Sequence, residues 1–228
     1  MDRIKSFIPN IITLSNLAMG CLAIKFLFEG KPLVAVACIA IGLLADFLDG
    51  AVARLLKVSS ELGKQLDSLA DMVSFGVVPG VILYYLLSQN TNFAIFGFLV
   101  TLFSAIRLGK FNLDTRQSDS FIGLPTPACT IFILGLLLLF ELNRFDTAHI
   151  IIQAPVLIPI TVLLSYLLIA ELPLFSLKFK HLKWKGNEVR FIFVAVALLL
   201  LLLLQELGLV LIIIIYVLVS MIVNLKRL

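Results

Sequence analysis

Residues 46–71 read DFLDGAVARLLKVSSELGKQLDSLAD, the densest cluster of charge in an otherwise apolar chain. Asp46 and Asp49 are three residues apart, and Asp67 and Asp71 are four apart, so each pair shares one face of a helix. A short turn between the two pairs would bring these two faces together. The stretch therefore predicts a helical hairpin with four carboxylates at one membrane depth.

The rest of the chain is far more apolar than a soluble domain of this length. Of its 228 residues, 61% are hydrophobic and 14% are charged, and the mean hydropathy is +1.12. So few charges could not cover a soluble protein, whereas a bilayer solvates apolar surface. A spanning helix needs about 20 apolar residues. Eight candidates run near 8–28, 32–56, 63–88, 92–112, 124–142, 149–170, 189–204 and 207–225. The predicted fold is an all-α polytopic membrane helix bundle, a single membrane domain over residues 1–228.

The last two candidate spans are separated only by Gln205, Glu206 and Gly208. The surrounding run of Leu, Ile and Val is too long for one span, and Gln-Glu-x-Gly is typical of a tight turn. Eight spans result, and an even number places both termini on the same side.

Lysine and arginine are distributed unevenly between the two sides of these spans. The loops on one side of the membrane hold only Lys31 and Arg144, and Lys25 lies within the first span. Because basic residues are enriched in cytoplasmic loops, we expect both termini and the aspartates at the cytoplasmic face. The 15 of 18 basic residues on that side are Arg3, Lys5, Arg54, Lys57, Lys64, Arg107, Lys110, Arg116, Lys178, Lys180, Lys183, Lys185, Arg190, Lys226 and Arg227.

The four aspartates have too few cationic partners nearby in the sequence. An aspartate at the centre of a membrane helix costs roughly 2.5–3.5 kcal/mol, and less near a helix end, yet only Arg54 and Lys64 lie close. Clustered carboxylates favour a hard cation such as Mg²⁺, Mn²⁺ or Ca²⁺ over zinc. Water-exposed charges at helix ends are the alternative. Gly50, Ala53 and Gly63 leave room for a ligand, and a helix beginning near Gly63 offers free N–H groups to a phosphate.

The pattern Asp49-Gly50-x2-Ala53-Arg54-x8-Gly63-x3-Asp67-x3-Asp71 resembles the signature of the CDP-alcohol phosphatidyltransferase family, with Asp46 as an upstream carboxylate. The resemblance implies transfer of a phosphatidyl group from a CDP-lipid to an alcohol, with release of CMP. It also implies a six-helix catalytic core, here residues 1–170. Residues 171–228 would then form a basic cytoplasmic loop and two extra spans.

The same resemblance assigns roles to individual residues. Asp46, Asp49 and Asp67 would bind a divalent metal, Mg²⁺ or Mn²⁺, and Asp71 would be partly a ligand and partly a general base. Asn16 of the first span either faces the nucleotide or bonds to another helix. The residues expected to bind the CDP-lipid are Asn16, Asp49, Gly50, Ala53, Arg54, Gly63 and Asp67.

A narrower resemblance concerns the acceptor alcohol. The segments PNIITLSN, MVSFGVVPG, RLGKFN and GLPTPA together look like the phosphatidylserine synthases of this family, which implies CDP-diacylglycerol as donor and L-serine as acceptor. The fourth span delivers Arg107, Lys110 and Asn112 to the cytoplasmic face, and Ser74 follows Asp71 by about one helical turn. We expect these four residues to bind serine, with the planar fork of Arg107 on its carboxylate.

Two other functions compete with this interpretation. The first is a sibling transferase that uses glycerol 3-phosphate, inositol phosphate or another alcohol. The second is a cation-coupled transporter, although transporter sites lie near the midplane on broken helices, whereas these aspartates lie near one face. The expected partners are the two substrates, membrane lipids and a second copy of the chain in a homodimer; no nucleic acid is expected.

Overall fold

The structure is a computed structural model that describes residues 2–113, 120–175, 184 and 186–225. Its first half contains α1 (Asp2–Phe28), α2 (Pro32–Leu56), α3 (Glu61–Asp71), a π-helical turn (Met72–Val77), α4 (Val78–Ser88), a 3-10 turn (Ala94–Phe98) and α5 (Leu99–Leu113). The second half contains β1 (Ser120–Ile122), α6 (Thr126–Leu142), α7 (Ala148–Ile151), α8 (Ala154–Ile169), β2 (Pro173–Phe175) and α9 (Glu188–Leu225). The predictions for Arg116, Lys178, Lys180, Lys183, Lys185, Lys226 and Arg227 lie outside the described residues.

Most of these helices have the length and composition of membrane spans. In the described chain five are long and apolar enough to cross a membrane: Phe7–Phe28, Pro32–Leu56, Glu61–Ser88, Ala94–Leu113 and Glu188–Asn224. α6 and α8 are equally apolar but shorter, with 17 and 16 residues. The predicted all-α membrane bundle is confirmed, and the protein is an integral membrane protein.

One predicted span is not a continuous helix. The apolar segment 149–170 is not a single helix, because α7 ends at Ile151 and α8 begins at Ala154. Gln153 between them is extended, with φ −69° and ψ 128°. Pro155 in the first turn of α8 explains the new start, since proline lacks the N–H that a continuing helix would use.

α9 folds back on itself at Gln205, which has φ 46° and ψ −114°. The ring centroids of Phe193 and Tyr216 lie 5.7 Å apart on either side of this break. In a straight helix a separation of 23 residues would span about 35 Å. Residues 188–204 and 206–225 are therefore two arms of a hairpin, called the C-terminal hairpin below, and the predicted division near Gln205 is confirmed.

α4 and α6 form the centre of the bundle. Ile82 and Leu86 of α4 and Leu137 of α6 are completely buried. A methyl group placed on Gly97 would lie 2.4 Å from the backbone nitrogen of Tyr84, so the 3-10 turn packs directly on the backbone of α4. Small residues at such contacts are typical of membrane helices, whose association depends on close van der Waals packing.

A two-stranded ribbon joins the ends of the helices on one side. β1 pairs antiparallel with β2, with Ser120 opposite Phe175 and Ile122 opposite Pro173. Residues 173–175 lie in the loop that the sequence predicts after residue 170, because a three-residue strand gives no recognisable period. The ribbon holds the segment after α8 against the segment before α6.

Candidate active site

The turn between α2 and α3 is built from local hydrogen bonds. Lys57 ends α2 in the left-handed conformation with φ 54°, and its N–H and that of Val58 bond back to the last turn of α2. Ser60 then caps α3, because its hydroxyl accepts a 3.0 Å hydrogen bond from the N–H of Gly63. Only four residues separate the two helices, so the aspartate-bearing faces must lie close together.

Three of the four aspartates converge at this turn. One carboxylate oxygen from each of Asp46, Asp49 and Asp67 lies within 4.8 Å of the others. Asp49 is buried and the other two are half-buried. Among the described residues, no Lys or Arg nitrogen comes within 4.0 Å of any of these carboxylates. A set of hard oxygen donors that forms no ion pair among the described residues fits a divalent cation such as Mg²⁺ or Mn²⁺.

Asp71 lies beside this group without belonging to it. Its carboxyl is within hydrogen-bonding reach of that of Asp46, and its Oδ1 is buried without a partner among the residues that the structure describes. A buried carboxylate oxygen with no partner is unusual in a protein interior and indicates a ligand or water at that position. The structure thus places Asp71 at the edge of the aspartate cluster, with Oδ1 unpaired among the described residues.

α1 contributes to the site in a way that sequence reasoning missed. The hydroxyl of Thr13 lies 2.5 Å from Asp49 Oδ2, to which it donates, and 3.0 Å from the carbonyl oxygen of Pro9. Asn10 lies against Gly63, where an added methyl group would come within 2.9 Å of its Oδ1. The signal was available, since Asn10, Thr13 and Asn16 recur every three residues in an otherwise apolar helix.

A cavity of about 390 Å³ opens beside the aspartates. Gly50, Ala53 and Gly63 line it as the sequence predicts, and Lys64 supplies a cation at its wall. Its full lining is Pro9, Asn10, Thr13, Asp46, Asp49, Gly50, Ala53, Val58, Ser59, Ser60, Gly63, Lys64 and Asp67. The volume and the mixture of small, polar and charged residues suit a nucleotide with its phosphates.

Two residues predicted to bind the CDP-lipid do not line this cavity. Arg54 is exposed, and its guanidinium lies over Gly50, 3.4 Å from where a methyl group on that glycine would be. Asn16 is completely buried, and both polar atoms of its amide lack a partner among the described residues. The side-chain Oδ1 of Asn16 faces Gly42 of α2. The backbone carbonyl oxygen of Asn16 accepts a 3.0 Å hydrogen bond from the hydroxyl of Ser74.

A second set of buried polar groups lies on α5, which carries Arg107, and on α6. The side chain of Arg107 is 7% exposed and interacts electrostatically with Asp71, and its Nε has no partner in the described part of the chain. Ser104 and Thr126 are both completely buried, and both hydroxyls lack partners among the described residues. Ser104 lies one turn before Arg107 on α5. Thr126 lies one turn before Cys129 on α6, and Cys129 interacts electrostatically with Arg107. Sequence reasoning missed Ser104 and Thr126, because single hydroxyls in apolar helices carry no pattern.

The other predicted acceptor residues have different surroundings. Lys110 is exposed, and Asn112 bonds through its amide nitrogen to Ser68 of α3 at 2.9 Å. Ser74 is buried in the π-helical turn, where its hydroxyl donates to α1. The structure therefore brings Arg107 near Asp71 and gives Asn112 and Ser74 partners on other helices.

Comparison with known proteins places the chain among lipid-synthesising transferases. A CDP-diacylglycerol–serine O-phosphatidyltransferase of Helicobacter pylori is 34% identical over 182 residues, which covers 77% of this chain and 74% of that protein. The enzyme of the same name from Bacillus subtilis is 35% identical over 188 residues, or 80% and 95%. An archaetidylserine synthase of Methanothermobacter thermautotrophicus is 32% identical over 163 residues, or 68% and 69%. The family model for CDP-alcohol phosphatidyltransferase matches residues 6–172, and the chain belongs to that family.

Proposed function

We propose that this protein transfers the phosphatidyl group of CDP-diacylglycerol to L-serine and releases CMP. The observation that carries the proposal is the position of Asp71, which lies between the three converging aspartates and the buried Arg107. The two serine-specific relatives and the archaetidylserine synthase support serine as the acceptor.

The donor would occupy the cavity beside the aspartates. Gly50, Ala53 and Gly63 let the nucleotide approach the backbone, and Lys64 offers a charge to the diphosphate. Asp46, Asp49 and Asp67 would hold the divalent metal, with Asp71 as a further donor through the oxygen other than Oδ1. When bound, Mg²⁺ or Mn²⁺ would neutralise the diphosphate and stabilise the departing CMP.

Asp71 would act as the general base. As the serine hydroxyl oxygen forms its bond to the β-phosphorus, its proton passes to the Asp71 carboxylate, and the bond from that phosphorus to the bridging oxygen breaks. The electron pair of the broken bond leaves with CMP, so phosphatidylserine and CMP are the products. The buried, unpartnered Oδ1 of Asp71 supports this role, because it leaves one oxygen free to receive the proton.

The serine would bind on the Arg107 side of Asp71. The guanidinium suits a bidentate pair with the serine carboxylate, and the unpartnered hydroxyls of Ser104 and Thr126 offer further hydrogen bonds. Ser74, Lys110 and Asn112 stay predictions as serine ligands. We call the space between Asp71, Ser104, Arg107 and Thr126 the acceptor subsite.

The orientation and assembly are part of the proposal as well. The bias of Lys and Arg supports an active site on the cytoplasmic side, with both termini in the cytoplasm. The homodimer expected from the sequence stays a prediction that crosslinking in membranes would test.

The function is tested by CMP release from purified full-length protein. CDP-diacylglycerol in detergent micelles is mixed with L-serine, glycerol 3-phosphate or inositol phosphate, with and without a chelator. We expect release with serine alone, complete loss after chelation, and recovery with Mg²⁺ or Mn²⁺. Release with another alcohol and none with serine would overturn the acceptor while leaving the family intact, and full activity after exhaustive chelation would overturn the metal site.

A further inference from the structure

The π-helical turn Met72–Val77 begins directly after Asp71 and connects it to α4. The N–H of Val78 bonds to the carbonyl oxygen of Val73, five residues back, where an α-helix would bond four residues back. The extra residue rotates α3 by about 100° relative to α4, compared with an uninterrupted α-helix. Since α4 is anchored in the core of the bundle, the direction in which Asp71 points depends on this turn.

Thr101 of α5 holds the turn through a direct hydrogen bond. Its hydroxyl donates to the carbonyl oxygen of Gly76 at 2.9 Å. The same side chain packs against Gly80, where an added methyl group would overlap the hydroxyl oxygen. A π-helical turn is rare and therefore unfavourable by itself, so a bond from a neighbouring helix helps to keep this one in place.

The two preceding residues of the turn are bonded to other helices. The hydroxyl of Ser74 donates to the carbonyl oxygen of Asn16 on α1 at 3.0 Å. The carbonyl oxygen of Phe75 accepts a bond of 3.3 Å from the hydroxyl of Thr130 on α6. Thr101 makes the shortest of the three bonds, so its loss should loosen the turn the most.

α5 runs antiparallel to α3 and the π-helical turn, in a register that two contacts fix. At one end, the amide nitrogen of Asn112 donates to the hydroxyl of Ser68 at 2.9 Å. At the other end, a methyl group placed on Gly76 would lie 3.2 Å from Cβ of Ser104. The two segments are therefore held side by side at both ends.

Asp71 and Arg107 lie between these two fixed points, one on each segment. Oδ1 of Asp71 and Nε of Arg107 are both buried and have no partner in the part of the chain that the structure describes. In the proposed reaction, Arg107 binds the carboxylate of the acceptor while Asp71 takes the proton of its hydroxyl. The two ends of one small molecule must then meet two groups at a fixed separation, which a shift between the segments would change.

We propose that Thr101 is a positioning residue, whose bond to Gly76 holds the π-helical turn and so sets the position of Asp71 relative to Arg107. The inference rests on the proposed function and deepens it, because it assigns the alignment of base and acceptor to a residue outside both sites. Thr101 and Arg107 lie on the same helix, so this bond connects the carboxylate-binding group to the segment that carries the base. Without the bond, serine still binds Arg107, but its hydroxyl is no longer aligned with Asp71.

A purely structural role for Thr101 is the competing explanation, and α8 provides the control. The hydroxyl of Thr161 is buried and donates to the carbonyl oxygen of Leu157 at 2.8 Å, within its own helix. Thr161→Val removes one hydroxyl bond to a backbone carbonyl, as Thr101→Val does, but leaves the bonds of the π-helical turn unchanged. The two variants should therefore lower the Tm by similar amounts.

The experiment measures kcat and the KM values of serine and CDP-diacylglycerol for Thr101→Val, Thr101→Ser and Thr161→Val in the full-length protein. Because a misplacement of about 1 Å at a reacting group can cost roughly 100-fold, kcat in Thr101→Val should fall roughly 10- to 100-fold, with both KM values within about threefold of wild type. Thr101→Ser keeps the hydroxyl and should restore kcat to within about threefold of wild type. Thr161→Val should leave kcat at the wild-type value.

Two further measurements separate positioning from stability. In an Asp71→Asn background, Thr101→Val should lower kcat little further, since Thr101 acts through Asp71. Amide hydrogen exchange over residues 72–78 should be faster in Thr101→Val than in wild type or Thr161→Val. Thr101→Ala removes the side-chain atoms that press on Gly80; it carries the same expected loss of kcat if Thr101→Val does not fold.

An unchanged kcat in Thr101→Val, an equal loss in Thr161→Val, or a full further loss in the Asp71→Asn background overturns the positioning role. If the wild-type protein uses a different alcohol, the same kcat ratios are measured with that alcohol; a Thr101 effect there upholds this inference while the proposed acceptor falls. A wild-type protein that releases CMP with no alcohol overturns both.

Discussion

The acidic site and the proposed acceptor subsite meet at Asp71, and they are built in different ways. The acidic site comes mainly from one hairpin, in which Asp46, Asp49 and Asp67 are joined by a four-residue turn. The proposed acceptor subsite collects single residues from α3, α5 and α6. Its members are spread along the chain from residue 71 to residue 126.

Because of this difference, we expect the donor and the acceptor of one reaction to be bound by separately built parts of the molecule. A local hairpin fixes the charges that we expect to bind the donor. Long-range packing fixes the groups that meet the acceptor, and that part can change without disturbing the hairpin. We therefore expect substitutions in the acidic site to abolish turnover, and substitutions around Arg107 to change selectivity.

Asp71 connects the two regions, and its loss should have the largest effect. Asp71→Asn keeps the shape but cannot take the serine proton, so kcat should fall by about two to four orders of magnitude. Binding of CDP-diacylglycerol should stay within a few-fold of wild type, as measured by equilibrium binding of the labelled lipid. Glu141→Gln is the control, because that carboxylate pairs with the hydroxyl of Tyr85 at 3.0 Å. Turnover in Asp71→Asn close to that of wild type would remove the base from the mechanism.

Thr13 tests whether α1 belongs to the acidic site. Thr13→Val removes the hydrogen bond to Asp49 Oδ2 at nearly constant volume. Partners of metal-binding carboxylates typically contribute 10- to 100-fold in affinity, so the Mg²⁺ concentration for half-maximal activity should rise by roughly that factor. Ser15→Ala, which removes a hydroxyl bonded to Ile11 on the exposed side of α1, should leave it unchanged. Equal metal requirements in the two variants would restrict the site to α2 and α3.

Gly208 tests the packing of the C-terminal hairpin. A methyl group there would lie 2.6 Å from the carbonyl oxygen of Leu200 on the facing arm. Gly208→Ala should therefore destabilise the protein by about 1–3 kcal/mol, seen as a lower Tm in detergent. Gly109→Ala is the matched control, because a methyl group on that glycine would meet nothing within 4 Å and alanine favours a helix. An unchanged Tm in Gly208→Ala would show that the two arms are not closely packed.

The orientation can be tested with no expected effect on turnover. Single cysteines at Glu61 and Asn90 lie at the two ends of the 28-residue passage Glu61–Ser88, which spans about 42 Å. In a variant without the three native cysteines, a membrane-impermeant thiol reagent added outside intact cells should label position 90 and not position 61. Labelling of both positions from one side would contradict the predicted topology.

The sequence by itself determined the membrane bundle, the acidic hairpin and the family. Hydropathy revealed the long helices, because a bilayer imposes a length on every span. The spacing of Asp46, Asp49, Asp67 and Asp71 revealed the converging carboxylates, because residues within one hairpin are constrained by helical periodicity and a short turn. Even the division of the last apolar run at Gln205 was visible as a break in an otherwise uniform pattern.

Only the tertiary structure decided which isolated polar residues share a space. Ser104 and Thr126 each look like ordinary residues of apolar helices, and no periodicity links them. Their proposed meeting near Arg107 depends on close contacts between segments such as that of Gly76 with Ser104, which fix how one helix is placed against another. Local spacing determines what lies on one helix face, whereas van der Waals packing between distant segments determines what that face meets.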